Sequence, residues 1–445
     1  MIDSVCRCVC VVLAAVLVMA LPQGVAAAPV LSFENAPELD APAAVLMDAS
    51  TGIVMFDKNM HDRHYPASMT KVMTALLALE SFHDDLDARV PFSYEAVFSI
   101  PRNSSHIAMS DNETLSVREA LYALMLESAN EVANALGEKI SGDMESFALL
   151  MTARAIELGA VNTRFQNAHG LHHPGHFTTP YDMALIMREA VQYPLFREII
   201  ATEFAEIPPT ERQPLPRPLL NTNRMVLSAS IHYDPNVVGG KTGFTDEARH
   251  TLVSYGRLRN MGLVSVVMRQ ERSLTFIDTT ALMAFGFENF ENVQVFDRNS
   301  YTREIPALQN ETTIRAVGER SLTLSLPVGA SAHIDATDFD LPRYIEHAVV
   351  DGEQIGTVTI RYGDIELDTI RMFAETGSVF VPQVYTPQDL AENFAESRTW
   401  LGALSVAIQL LLVLFFAVGS LVLVIHFKTR RSRMRRYYRQ SYRYK

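Results

Sequence analysis

The chain is 445 residues long, 48% hydrophobic and 20% charged, with a formal net charge of −13. That length suffices for two or three domains with packed cores, and the acid excess argues against nucleic acid as the partner of its main body. Its three cysteines, Cys6, Cys8 and Cys10, stand within the first ten residues, so a thiol nucleophile or Cys-ligated metal is excluded from everything that follows.

Residues 9–21 form a short apolar core, followed by Pro22 and the small-residue run Val25–Ala28. This is the pattern of a secretory signal peptide, residues 1–28, cleaved near Ala27 or Ala28. Ala43–Asp48 and Ile53–Lys58, joined by Ser50-Thr51-Gly52, predict two strands around a tight turn. Tyr65-Pro66-Ala67-Ser68-Met69-Thr70-Lys71 then opens a helix-forming run to Glu80, with apolar residues at Val72, Met73, Leu76, Leu77 and Leu79. Residues 83–101 are polar and irregular. Ser116 and Glu119 make a capping box for a helix through Leu126, a break is expected at Glu127–Asn130, and helical patterns cover 131–140 and 144–158. A further helix is expected from Thr179 to about Tyr193. A proline-rich loop follows, and then strands at Val237–Thr245, Thr251–Tyr255 and Gly262–Arg269, and a helix over Ser273–Phe287.

From about Val293 to Pro387 the texture changes to short alternating strands between Gly and Asp turns, which predicts a small β-sandwich domain, residues 293–387. Residues 388–400 read as a connector. Leu401–Ile425 is a run of 25 mainly apolar residues, long enough to span a bilayer, and gives an expected transmembrane helix over 401–427. The tail, 428–445, carries nine Lys and Arg and no acid, which places it in the cytoplasm and the preceding domains outside the cell membrane, single-pass. Between leader and tail, 28 basic face 50 acidic residues.

Three short motifs stand in order: Ser68-Met69-Thr70-Lys71, Ser128-Ala129-Asn130 and Lys241-Thr242-Gly243. On a helix, positions i and i+3 share a face, so the Ser68 hydroxyl and the Lys71 amine point into one space beside a helix N-terminus. Ser128 and Asn130, two apart, reach a common cleft only from a loop or extended turn. Gly239, Gly240 and Gly243 would let a substrate backbone approach the third motif closely. Together these are the parts of a nucleophilic acyl-transfer site.

With those motifs, and with Asn167-Ala168-His169-Gly170-Leu171 and His176-Phe177-Thr178-Thr179, the chain resembles the low-molecular-mass penicillin-binding proteins, serine-type D-alanyl-D-alanine carboxypeptidases, over roughly residues 30–385. The resemblance implies an α+β penicillin-binding/serine β-lactamase-like catalytic domain over 29–292, an antiparallel sheet covered by helices. It implies Ser68 as the acylated nucleophile, Lys71 as its neutral general base, and Ser128 as the proton relay to the leaving amine. Asn130, Lys241, Thr242, Gly243 and Phe244 would bind the substrate, Lys241 and Thr242 holding the terminal carboxylate. The N–H groups of Ser68 and Phe244 would form the oxyanion hole. Partners are then the peptidoglycan stem peptide and, as inhibitors, β-lactams. No cofactor and no metal is implied. Arg249 and His250 depart from the usual Gly and aromatic residue, and a spanning helix replaces the amphipathic one of many relatives. Of the cluster His169, His172, His173 and His176, two belong to the family loop pattern, and no carboxylate accompanies the four closely, so no metal site is read there. A DD-endopeptidase or a non-catalytic peptidoglycan-binding scaffold are the alternatives. A class A β-lactamase fits less well, for want of a Glu-x-x-Leu-Asn segment.

Overall fold

A computed structural model of the chain describes residues 36–306, 313–345 and 349–375. The expected leader, the end of the β region, the connector, the apolar run 401–427 and the basic tail lie outside the described residues. Among those described, no helix is long and apolar enough to cross a membrane. The chain divides into two compact units, one comprising residues up to Arg303 with Ala316–Pro342 and Gln354–Phe373, the other Glu304–Arg315, Arg343–Glu353 and residues from Ala374.

The larger unit is built on a five-stranded antiparallel sheet. β1 (Ala43–Asp48) and β2 (Val54–Lys58) form the expected hairpin. They join β7 (Val237–Thr245), β8 (Arg249–Leu258) and β9 (Met261–Gln270) in the order β2-β1-β9-β8-β7. β1 is buried at every residue, as a near-continuous apolar strand must be when helices cover both faces. A long helix, Arg272–Asn289, packs on one side, and Pro180–Ala190 on the other.

A helical layer extends from the sheet. α1 (Lys71–Phe82) is its axis, with every residue from Lys71 to Leu79 buried. Around it stand α2 (Tyr94–Phe98), α3 (Val117–Leu126), α4 (Asn130–Ser141) and α5 (Met144–Glu157). The helix Pro180–Ala190 is α6, and α7 (Pro194–Ala201) and α8 (Arg272–Asn289) follow. The capping box of α3 is formed: Ser116 Oγ accepts from Glu119 N at 3.2 Å, while Ser116 N donates to Glu119 Oε2 at 2.7 Å. Thr179 caps α6, with Pro180 at its first position, where the missing N–H costs nothing.

Three local expectations change. The stretch Pro66–Glu80 is not one helix, since Ala67–Thr70 is a 3₁₀ turn and α1 begins at Lys71. The irregular 83–101 segment contains α2 and β3 (Arg89–Pro91), which pairs with β4 (Thr114–Ser116). The proline-rich loop is the tip of a hairpin between β5 (Phe204–Ile207) and β6 (Arg217–Leu220).

Beyond α8 come β10 (Phe290–Phe296), β11 (Arg303–Pro306) and β12 (Thr313–Gly318), and β10 pairs with β13 (Leu322–Pro327). Ser325 of β13 donates to Asp48 Oδ2 at 2.5 Å, while Asp48 Oδ1 collects the Ser50 and Thr51 N–H groups of the first hairpin turn. β14 (Ile334–Asp340), β15 (Gln354–Tyr362) and β16 (Ile365–Glu375) run antiparallel in that order. In the smaller unit, Ile345 N donates to Pro306 O and Ala374 N to Glu353 O.

Candidate active site

The turn that carries Ser68 is held from three directions. Ala67, just before it, has a φ of +48°, in the left-handed region that a residue with a Cβ rarely adopts. Thr251 Oγ1 of β8 donates to Pro66 O at 3.0 Å, and Thr70 Oγ1 donates to Ala67 O at 2.8 Å. Gly170 lies so close that a Cβ there would stand 1.8 Å from Ala67 O, so the loop tolerates no side chain at this point. His176 completes the support. Its Nδ1 accepts from Gln166 N at 3.2 Å, so the ring proton is on Nε2, which donates to Thr70 Oγ1 at 2.9 Å. Burial and neighbouring positive charge hold His176 neutral, with its pKa lowered to about 3.

Lys71 is fully buried. Its Nζ lies 3.1 Å from Ser68 Oγ, 2.6 Å from Asn130 Oδ1 and 2.7 Å from His169 O. Burial pushes its pKa far below that of an ordinary lysine, and the nearby Lys241 lowers it further, against a small opposing effect of Glu131. Of the two causes, burial is the larger. A neutral amine has two N–H bonds and one lone pair. Asn130 Oδ1 and His169 O accept both donors, which leaves the lone pair for the Ser68 hydroxyl.

The break between α3 and α4 occurs where expected, and Ser128 takes a φ of +60° there. That reversal brings Ser128 and Asn130, both nearly buried, to the same cleft. The break is docked on the 101–109 loop, with Asn130 N donating to Ser105 O at 2.9 Å and Ile107 N to Glu131 Oε1 at 2.7 Å. A sealed ion pair, Arg217 with both oxygens of Glu113 at 2.8 and 2.9 Å, anchors the same loop, because Arg217 also donates to the carbonyls of Ile107 and Ala108.

β7 forms the opposite wall. As an edge strand it leaves alternate N–H and C=O groups unused by the sheet. Lys241 is buried, donates to Thr242 O at 2.9 Å, and has its pKa lowered by burial to about 7. Thr242 Oγ1 lies 2.8 Å from Thr222 Oγ1. The glycines serve the protein's own packing as much as a substrate. A Cβ at Gly239 would meet Ile200 O of α7 at 2.1 Å, and one at Gly243 would meet Ser68 N at 2.8 Å. Gly243 thus lets the edge strand press against the Ser68 backbone.

The resulting cleft, about 800 Å³, brings Ser68, Ser128, Asn130, Thr242, Gly243 and Phe244 to one surface, with Lys71 and Lys241 buried beneath it. It also holds Arg224, Arg272 and Glu247, which no short motif in the sequence marks. Arg249 pairs with Glu271 at 3.0 Å, and His250 lies against the Phe244 ring, 4.5 Å between centroids. The four histidines do not converge. His176 supports the turn, His169 Nδ1 accepts from Leu171 N, His172 packs edge-on against Tyr65, and His173 accepts from Gly175 N. Among the described residues no His, Cys, Asp and Glu group forms a metal site.

An α+β fold with a serine beside a buried lysine, walled by a second serine loop and an edge strand, defines the penicillin-binding protein and serine β-lactamase class. Within it, the chain belongs to the S11 peptidases, the D-alanyl-D-alanine carboxypeptidase family, whose sequence profile matches residues 31–272. It is 29% identical to the D-alanyl-D-alanine carboxypeptidase DacF of Bacillus subtilis over 330 residues, 72% of this chain and 82% of that protein. It is 33% identical to DacC of Escherichia coli over 271 residues, 58% of this chain and 64% of that one. In fold it is similar to penicillin-binding protein 5 of Haemophilus influenzae, with a TM-score of 0.67 and 24% identity over 77% of this chain and 98% of that one. It is also similar to the Streptomyces K15 DD-transpeptidase, with a TM-score of 0.53 and 26% identity over 57% of this chain and 99% of that one.

Proposed function

We propose that the protein is a serine D-alanyl-D-alanine carboxypeptidase that removes the terminal D-Ala from peptidoglycan pentapeptide stems. The observation that carries this reading is the hydrogen-bond count at Lys71, a buried amine whose one free valence faces Ser68 Oγ at 3.1 Å. Lys71 takes the hydroxyl proton as Ser68 attacks the penultimate D-Ala carbonyl. The N–H groups of Ser68 and Phe244 receive the oxyanion, a contribution of about 3–4 kcal/mol per donor in comparable sites. Ser128 passes the proton to the leaving amine, the C–N bond breaks, and free D-Ala departs. Water then hydrolyses the acyl-enzyme with Lys71 again accepting a proton. Lys241 and Thr242 hold the terminal carboxylate, and Asn130 fixes Lys71 and the substrate amide. A β-lactam acylates Ser68 because its strained amide resembles the D-Ala-D-Ala bond.

We place the catalytic domain outside the cell membrane, held by the apolar run 401–427 with the basic tail in the cytoplasm. Support comes from the 25-residue apolar stretch, the nine basic residues after it and the leader at residues 1–28. The test of the activity is release of free D-Ala from a pentapeptide ending in D-Ala-D-Ala. Release by the wild type and none by Ser68→Ala supports the assignment, and equal release by both refutes it. Cross-linked muropeptide dimers offered to the same enzyme distinguish a DD-endopeptidase.

A further inference from the structure

A second pocket, about 350 Å³, adjoins the cleft on the far side of the β7–β8 turn, and Glu247 lines both. Its walls include Arg63, His64, Tyr65, Phe177 and Arg269. Two guanidinium groups thus share one small concavity, and among the described residues neither has an ion-pair partner. Arg63 is oriented by donation to Asn162 Oδ1 at 3.1 Å and by the Phe177 ring, 4.7 Å beneath its Cζ. Arg269 is aimed by a β-bulge. Between the pairs His250–Gln270 and Leu252–Val267, the single residue Thr251 faces both Met268 and Arg269, and Arg269 takes a φ of +60°. His64 Nε2 is buried there with no hydrogen-bond partner. In a chain of net charge −13, two adjacent arginines left unpaired beside an unsatisfied imidazole nitrogen form a receptor for an anion.

The direction of the substrate fixes which anion. With the scissile carbonyl at the Phe244 N–H and the terminal carboxylate toward Lys241, the rest of the peptide runs past Thr245 toward Glu247. Three residues of extended chain cover roughly 10 Å. We propose that this pocket is a subsite for a carboxylate borne by the stem peptide two or three residues ahead of the scissile bond, so that the enzyme selects free-acid over amidated stems. The proposal rests on the carboxypeptidase reading above.

The experiment compares two synthetic stem pentapeptides that differ only in a free carboxylate or a carboxamide on the third residue ahead of the scissile bond, using wild type, Arg63→Gln/Arg269→Gln and Arg269→Lys. A short diacylated Lys-D-Ala-D-Ala lacking that residue serves as control. The wild type is expected to favour the free acid about 10-fold or more in KM, with similar kcat. The double glutamine variant should lose that preference to within about twofold, while Arg269→Lys keeps most of it and all three proteins hydrolyse the control equally. Equal KM for acid and amide peptides in the wild type, or a preference that survives in the double variant, overturns the subsite while leaving the hydrolase reading intact. Failure of the wild type to release D-Ala from any of the three peptides overturns the hydrolase reading itself, and the subsite with it.

Discussion

The side-chain oxygen of Asn130 stands 2.6 Å from the amine of Lys71, although 59 residues separate them in the chain. This contact joins the second motif to the first and bears directly on the protonation of Lys71, the proposed base. A neutral acceptor holds one N–H of Lys71 without adding negative charge that would favour the ammonium form.

Replacing Asn130 by Asp therefore makes a direct prediction. A carboxylate at this distance pairs with the ammonium and returns Lys71 to its charged form, which cannot accept the Ser68 proton. Acylation by a penicillin at neutral pH should fall by roughly 10²–10³, the usual scale for a lost general base, and the activity limb set by Lys71 should move to higher pH. Stopped-flow acylation of Asn130→Asp across pH values reads both.

On the proposed roles, the two buried lysines predict opposite limbs in the pH profile of kcat/KM. The rate rises with pH as Lys71, whose pKa is well below the ordinary value, becomes neutral. It should fall as Lys241, with a pKa lowered to about 7, loses the charge proposed to bind the carboxylate. Lys241→Arg keeps the charge at all accessible pH, so the alkaline limb should move up by more than about one unit. An unmoved alkaline limb in that variant would separate Lys241 from the carboxylate.

Gly170→Ala places a methyl group against Ala67 O in a backbone conformation, φ +88°, that alanine rarely adopts. The expected cost is about 2–4 kcal/mol in urea unfolding, with slower acylation because the Ser68 turn must shift.

Arg217→Met leaves Glu113 sealed and unpaired beneath the 101–109 loop. Loss of about 3–5 kcal/mol is expected, and the double variant Arg217→Met/Glu113→Leu should recover most of it. Both variants lose the bonds from Arg217 to the carbonyls of Ile107 and Ala108, so both should have lower kcat/KM. Recovery of stability without activity would separate fold from site.

Much of the catalytic unit was legible because its signals are local. The capping box at Ser116 and Glu119, the break at Ser128 and the spacing of Ser68 and Lys71 all act within four residues. What escaped was set by distant partners. α7 has eight residues and the strands of the β5–β6 hairpin four each, too short to stand out in the chain, and they are defined by packing on β7 and by the Glu113–Arg217 pair. Gly239 reads as an opening for a substrate until Ile200 O is found 2.1 Å from where its Cβ would be. Arg63 and Arg269 lie 206 residues apart and become a pair only through a β-bulge. The degree to which Lys71 is neutral follows from burial, which no four-residue pattern states.

The most direct test of the central claim is intact-protein and peptide mass spectrometry after brief exposure to benzylpenicillin. One adduct of the intact drug mass on the peptide containing Ser68, absent from Ser68→Ala and strongly slowed in Lys71→Ala, is predicted. Stoichiometric labelling that persists in Ser68→Ala, or that maps to another residue such as Ser128, would contradict it.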